Sequence, residues 1–446
     1  MRTLGRVVVT LLAVGAWAAP VRAGNDDEIL NGSQAALSAG AVTAVTNDGA
    51  ALIYNPAGLA SARHSVLEGS ASAFMVRHYS APKLIADVSG ASDDGSFLEV
   101  VSAPSAITWV TPLGPRLSLG LGAFVTRARN LNVNAFLDTV TPSGERAQWL
   151  VTLSDTSSLY HAGVGIGVVA LPNLRLGVTL FGLYQGAGAS FASAGGAVSS
   201  DAMGANSGFR AESSRSVGDY FGVRLAAGAQ WDVVPELTLG VAVLTPGFIL
   251  AASEDVAAFA GTGRAQGAGM GGPDSFAATH HRDLSFGFDL FEPFRLRVGA
   301  VYRFDEHWIS LDGDIQSGLP GSTFATQRTF VWNARVGAHV AIERDFWLGA
   351  GLFTDLDAQP GTTRVGGSDV DFVGGTLGIG WSNVRKLAED EDEDAIAFST
   401  TISLRYAFGF GETGGILVDG ASFVDERPVD VAVQEFGIYL GSGLHY

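Results

Sequence analysis

The sequence predicts an all-β protein, an antiparallel transmembrane β-barrel of about 14 strands. Three observations predict it. Segments of roughly 10 to 14 residues alternate apolar with polar or small side chains, and helical periodicity is almost absent. Their connections alternate between short and long. The chain ends on such a segment, with the aromatic Tyr446 as its last residue.

Composition narrows the class. The 446 residues include no cysteine, and Lys plus Arg number 27 against 45 Asp plus Glu, a formal charge of −18. A nucleic-acid binder needs a basic face, so that class is excluded. Gly accounts for 59 residues, about twice average usage, without a collagen period. The N-terminus has the pattern of a secretory signal over residues 1–23: Arg2 and Arg6, the apolar run Val7 to Ala18, then Val21-Arg22-Ala23 before Gly24. No later run is long and apolar enough for a membrane-spanning helix.

The alternation places strands near 65–79, 103–112, 116–127, 159–170, 173–186, 217–232, 236–250, 293–304, 307–317, 330–342, 345–355, 370–383, 396–409 and 433–446. In Leu174 to Phe181, Leu174, Leu176, Val178 and Leu180 share one face, and Arg175, Gly177, Thr179 and Phe181 the other. From Phe294 to Phe304, an apolar face backs onto Arg295, Arg297, Gly299 and Arg303. In a membrane barrel the apolar face meets lipid and the arginine face the lumen.

Short turns fall at 112–115, 171–173, 233–236, 305–306 and 343–344. Long stretches at 80–102, 128–158, 187–216, 251–292, 318–329, 356–369 and 410–432 read as outer loops. The acidic run Lys386 to Asp394, including 389–394, breaks the rule as a long turn on the short side. Phe304, Phe346, Trp381, Phe408 and Tyr446 sit at strand ends, as an aromatic girdle would. Gly163, Gly165, Gly167, Gly349, Gly351, Gly374, Gly378 and Gly380 face the lumen and leave it space. The final strand resembles the signal read by barrel-assembly machinery, which is thereby an expected partner alongside outer-membrane lipid.

The stretch NDGAALIYNPAGLA, with Asn55, Pro56, Ala57 and Gly58, resembles the N-terminal signature of the FadL/TodX family of outer-membrane transporters for long-chain fatty acids and aromatic hydrocarbons. Ala103 to Val125 and Leu296 to Ile315 are similar to two hairpins of that family. The resemblance implies a bacterial outer-membrane barrel over 64–446, with an N-terminal hatch over 24–63 inside its lumen. It implies passive uptake of a hydrophobic small molecule, captured at outer loops and released laterally or through the lumen. An inward kink in the strand Arg116 to Thr126 would open the lateral path; Gly120 and Gly122 would allow it, but nothing in the segment dictates it. The same turn occurs in PorV-like barrels that hold a secretion or surface partner, which keeps a scaffold role as the alternative.

Site residues follow. Pro56 restricts Asn55 to extended geometry, and the Asn55 side chain can tie the turn to nearby backbone. Arg295, Arg297, Arg303, Asp312, Asp314 and Arg335 form an expected polar ladder in the lumen, with Arg297 opposite Asp314 if residues 303 and 308 pair. Arg405 and His339 would face the same lumen. Phe136, Leu137, Trp149, Phe248, Phe259 and Phe276 are expected to offer apolar capture surface at the outer loops. No cofactor or metal is expected: His280 and His281 are adjacent on an extended chain and point apart. Gly263 to Gly272 lacks the ending and context of a phosphate loop. No catalytic motif is present, so an enzyme is not expected, and neither is an oligomer.

Overall fold

A computed structural model describes residues 29–140, 144–201, 204–266, 276–321, 327–343, 345–358, 368–386, 395–419 and 422–446. Residues 1–23, which the sequence predicts to be a signal, and the acidic run 387–394 lie outside them. A short N-terminal part carries helix α1 (Ser33–Leu37), helix α2 (Ala51–Tyr54) and a 3-10 turn, Pro56–Ser61. The strands follow: β1 (Val66–Asp87), β2 (Ser92–Gly114), β3 (Leu117–Val140), β4 (Arg146–Leu171), β5 (Leu174–Asp201), β6 (Gly204–Val234), β7 (Leu237–Leu244) and β8 (Gly247–Gln266). The second half holds β9 (Phe276–Glu292), β10 (Arg295–Phe304), β11 (His307–Gln316), β12 (Val331–Glu343), β13 (Phe346–Asp355), β14 (Ser368–Lys386), β15 (Ala395–Asp419) and β16 (Ser422–His445).

The strands form a closed antiparallel barrel. Neighbours run β5-β4-β3-β2-β1-β16-β15-β14-β13-β12-β11-β10-β7-β6, and β6 pairs back to β5. β1 and β16 close first strand on last, from Val66–His445 outward. β8 pairs with β6 beyond the end of β7, and β9 pairs with β8, so these two stand outside the ring. Closure of the ring pairs each of its strands on both sides, so the ring itself has no first or last strand.

Within the wall the expected faces hold. Leu176, Val178, Leu180, Phe294, Val298, Tyr302 and Phe304 are exposed, while Thr179, Phe181, Arg295 and Arg297 are buried. Arg303 pairs with Trp308 and Arg297 with Asp314, the register expected of a tight turn. Tyr446 and Phe304 are exposed at the short-turn end, and Phe346 and Trp381 are half-buried there. Phe408 instead lies within β15, because that strand runs on to Asp419.

The loops are where expectation fails. Residues 80–102, 128–158, 187–216 and 410–432 continue the strands as tall hairpins, with pairing as far as Val140–Arg146, Asp201–Gly204 and Asp419–Ser422. The stretch 251–292 holds most of β8 and all of β9, so the sheet has sixteen strands among the described residues. In these extensions the outward residues no longer form an unbroken apolar row, and the signal used to find strands fades there.

Candidate functional site: a filled lumen and the apolar interior above it

Residues 29–61 occupy the short-turn end of the barrel interior, and Leu52, Leu59, Ala36 and Ala57 are fully buried there. The wall gives way to them with glycine. A methyl group added to Gly167 would overlap the Ala60 backbone, one on Gly177 the Pro56 carbonyl, and one on Gly228 the Asn55 carboxamide. Gly165 meets Leu52, Gly349 and Gly378 meet Leu37, and Gly351 meets Ser38. Gly120 and Gly122, where a kink was allowed, instead admit Leu59 and Leu52. Of the other lumen glycines, Gly163, Gly374 and Gly380 face wall side chains.

Inward side chains then bond the segment's backbone. Asp312 Oδ2 accepts from Thr43 N at 2.7 Å, and Ser310 Oγ donates to Ala41 O at 2.6 Å. Ser403 Oγ donates to Ala36 O at 2.8 Å, and Gln230 Nε2 to Thr46 O at 3.1 Å. Glu68 Oε2 accepts from Gly49 N at 2.9 Å. Asn55 is wholly buried and does three things at once. Its Nδ2 donates to Thr43 O at 2.7 Å and to Ala229 O on β6 at 3.1 Å. Its Oδ1 accepts from Ala57 N at 3.1 Å, which caps the 3-10 turn with Pro56 in the first position. The side chain therefore ties two parts of the segment to each other and to the wall. Burial raises the carboxyl of Asp48 above its ordinary range.

A belt of buried charge lies alongside. Asp314 takes Arg295 at very short range, Arg297 at 3.2 Å and Arg335 at 3.9 Å. Arg297 also donates to Ile53 O at 2.9 Å and covers the Tyr54 ring at 5.0 Å. Five members of the expected ladder thus meet at the segment, with Asp312 serving Thr43. Arg303 stands apart, donating to Thr238 Oγ1 at 2.7 Å. His339 is in the lumen, stacked on Trp308. Two further clusters escaped sequence reading. Glu435 joins Arg77 at 2.7 Å and Arg405 at 2.6 Å, with Glu99 3.6 Å from Arg77. Glu292 joins Arg127 at 3.1 Å and Arg224 at 3.7 Å. Glu99 and Glu292 fell in stretches read as loops; their only signal was a charge on an inward register. The gap these groups leave beside Ile29, Tyr54 and His161 is about 40 Å³, room for water and not for a hydrocarbon.

Above the belt the polarity of the wall inverts. On β4 the exposed residues of the lower part are Val164, Ile166 and Val168; higher up, the buried ones are Trp149, Val151 and Leu153. On β3 a one-residue register shift between Val125 and Arg127 turns the strand over. Leu117 and Leu121 face outward below it, while Leu131, Val133 and Leu137 face inward above it. These inward residues form one cluster with Tyr79, Ile85, Phe353, Phe372, Ile416, Val431 and Val433. Of the residues expected to capture ligand on the outside, Leu137 and Trp149 belong to this interior, so they offer no outer surface. Phe136 is exposed, Phe248 and Phe259 are half-buried on β8, and the side chain of Phe276 lies outside the described residues.

The same shift marks a seam. β2 pairs with β3 only from Gly114–Leu117 to Ala106–Phe124. Beyond it β2 continues on β1 and β3 on β4. Asn130 N donates to Glu99 Oε1 at 2.8 Å across the divide. His280 and His281, on β9, each face a separate carboxylate, Asp255 at 3.1 Å and Asp283 at 2.9 Å. Of Gly263 to Gly272, residues 263–266 end β8 and the rest lie outside the described residues.

A closed antiparallel wall with its own N-terminal segment seated inside defines a FadL-like barrel. Solved structures with this fold include a Pseudomonas aeruginosa FadL homologue, at 12% identity over 95% of this chain and 98% of that one, with a TM-score of 0.57. The P. putida toluene transporter TodX matches at 14% identity over 93% and 98%, with a TM-score of 0.52. The CymD monoaromatic hydrocarbon channel matches at 12% over 95% and 99%, with a TM-score of 0.50. No family model and no curated protein matches the sequence.

Proposed function

We propose that the protein is a bacterial outer-membrane channel for passive uptake of hydrophobic small molecules, of the long-chain fatty acid or aromatic hydrocarbon type. In this reading the fourteen strands of the closed pairing path form the membrane wall and residues 24–63 form its hatch. The inverted polarity of the outer half carries the proposal. A water-filled pore keeps a polar interior, whereas here Tyr79, Trp149, Val133, Phe372 and Val431 turn apolar side chains inward. Such a lining stabilises an apolar ligand by about 25 cal/mol per Å² buried. The ligand enters this chamber from above and meets the charge belt, and the closed hatch stops it. It then leaves through the seam between β2 and β3, or past the hatch when the ties around Asn55 yield. The names of the structural neighbours support this ligand class; the fold alone does not choose the molecule.

Uptake by cells of a labelled long-chain fatty acid and a labelled monoaromatic hydrocarbon tests it, with Val133→Asp as the variant that places a charge in the chamber. Uptake above cells lacking the protein, lost in Val133→Asp while the barrel still assembles, is the expected result. Equal uptake with and without a correctly assembled protein would contradict it.

A further inference from the structure

Outside the wall, at the height where the outer half begins, lies a depression of about 690 Å³ on β4, β5 and β6. The uninterrupted register of these strands sets its composition row by row. Below it, Val164, Leu180 and Leu225 make an exposed apolar row. Its lower rim is wholly aromatic: Tyr160 pairs with Tyr184, and Tyr184 with Phe221. The Tyr160 and Tyr184 rings stack at 5.9 Å, and Phe221 leans on Tyr184 at 5.0 Å. Aromatic rows of this kind mark the boundary between hydrocarbon and head groups.

Immediately above, the outward residues become small and hydroxylic. Ser158, Gly186 and Asp219 form one row, Thr156, Gly188 and the exposed Val217 the next, and Ser154, Ser190 and Arg215 the upper rim. Tyr184 OH donates to Asp219 Oδ1 at 2.7 Å, which fixes a carboxylate oxygen at the hydroxyl edge of the ring. Arg215 is exposed and makes no ion pair with a described residue. An apolar stripe, an aromatic rim, hydroxyls with a carboxylate, and a guanidinium above them follow the order of groups in one kind of molecule. Acyl chains come first, then a sugar ring whose C–H face rests on aromatics while its hydroxyls meet Asp219 and Ser158, then a phosphate for Arg215.

We propose that this depression binds the phosphorylated sugar head group of an outer-leaflet glycolipid. The inference rests on the membrane placement given above, but not on the transport it serves. The geometry assigns Arg215 to the phosphate and the Tyr160–Tyr184 floor to the sugar. The two glycines, Gly186 and Gly188, provide the depth: a methyl group on Gly186 would meet nothing closer than 3.4 Å, so a larger side chain there fills the hollow without disturbing the wall.

The test reconstitutes the full protein into phosphatidylglycerol vesicles containing an acylated glucosamine disaccharide, either bisphosphorylated or dephosphorylated. Native mass spectrometry then counts retained lipid, and protease protection reports insertion separately. The wild-type protein is expected to retain the bisphosphorylated form preferentially. Arg215→Ser should lose about tenfold of that preference, the size of one charge-assisted bond. Gly186→Leu should lose retention of both forms, and free glucosamine 1-phosphate should compete only weakly. Insertion without preference over phosphatidylglycerol, or unchanged retention in both variants, would overturn the site. Equal competition by the free sugar phosphate would overturn the lipid as its ligand. Failure to insert would instead strike the membrane placement, and the site with it.

Discussion

The inner and outer halves of this barrel are built on opposite rules. At the inner level the wall is apolar outside and small or charged inside, and single residues specify the fit. Gly177 admits the backbone of the N-terminal segment and Gly228 its Asn55 carboxamide, while Asp312 and Gln230 bond that backbone. In the outer half, inward Leu131, Val133, Leu137 and Trp149 make an apolar interior from ordinary packing residues. One extra residue near Thr126 suffices to turn β3 from the first rule to the second. The inner half is full and charged; the outer half is lined with packed apolar side chains.

The contrast can be broken from the inner side first. Glu435→Leu removes the carboxylate that Arg77 and Arg405 share, and losing a buried charge partner costs about 3–5 kcal/mol. Thermal and urea unfolding in detergent should show that loss. Gly228→Val drives a side chain into the Asn55 carboxamide, an overpacking of about 1–3 kcal/mol. It should dislodge the N-terminal segment and raise single-channel ion conductance in planar bilayers, while Ala135→Val in the outer apolar cluster leaves conductance at the wild-type level. Asn55→Ala removes two donors and a cap, about 1–2 kcal/mol. Barrel assembly should persist while hydrophobe uptake changes, and normal uptake would sink the hatch-pin idea.

The smallest effect is on pH. Because burial raises the Asp48 carboxyl in the seated hatch, that state holds a proton more tightly than the released one. The resulting stabilisation is present at low pH and is lost as pH rises through the raised value. Conductance of the wild-type channel should therefore rise more steeply with pH than that of Asp48→Asn.

Legibility in the sequence divides along the same line. Wall strands such as β5 and β10 were plain, because an exposed apolar face and a buried small or charged face alternate strictly along them. The pairing of Arg297 with Asp314 followed from turn length alone. The tall hairpins were not legible as strands, since segments such as Ala187 to Ser216 are Ala-, Gly- and Ser-rich on both faces. Nor was the inversion on β3: Leu117, Leu121, Leu131 and Val133 stay an even number of residues apart through it, and the shift that moves the last two indoors has no residue signature. The Arg77–Glu435 contact joins residues 358 apart, beyond any local pattern.

The direct measurement is the position of bromine in the structure of the protein soaked with a brominated long-chain or aromatic compound. We predict anomalous bromine signal inside the outer half, among Tyr79, Trp149, Phe372 and Val431, above the Arg77–Glu435–Arg405 belt. Signal confined to the lipid-facing surface, with the outer interior unoccupied at saturating compound, would contradict an apolar entry chamber.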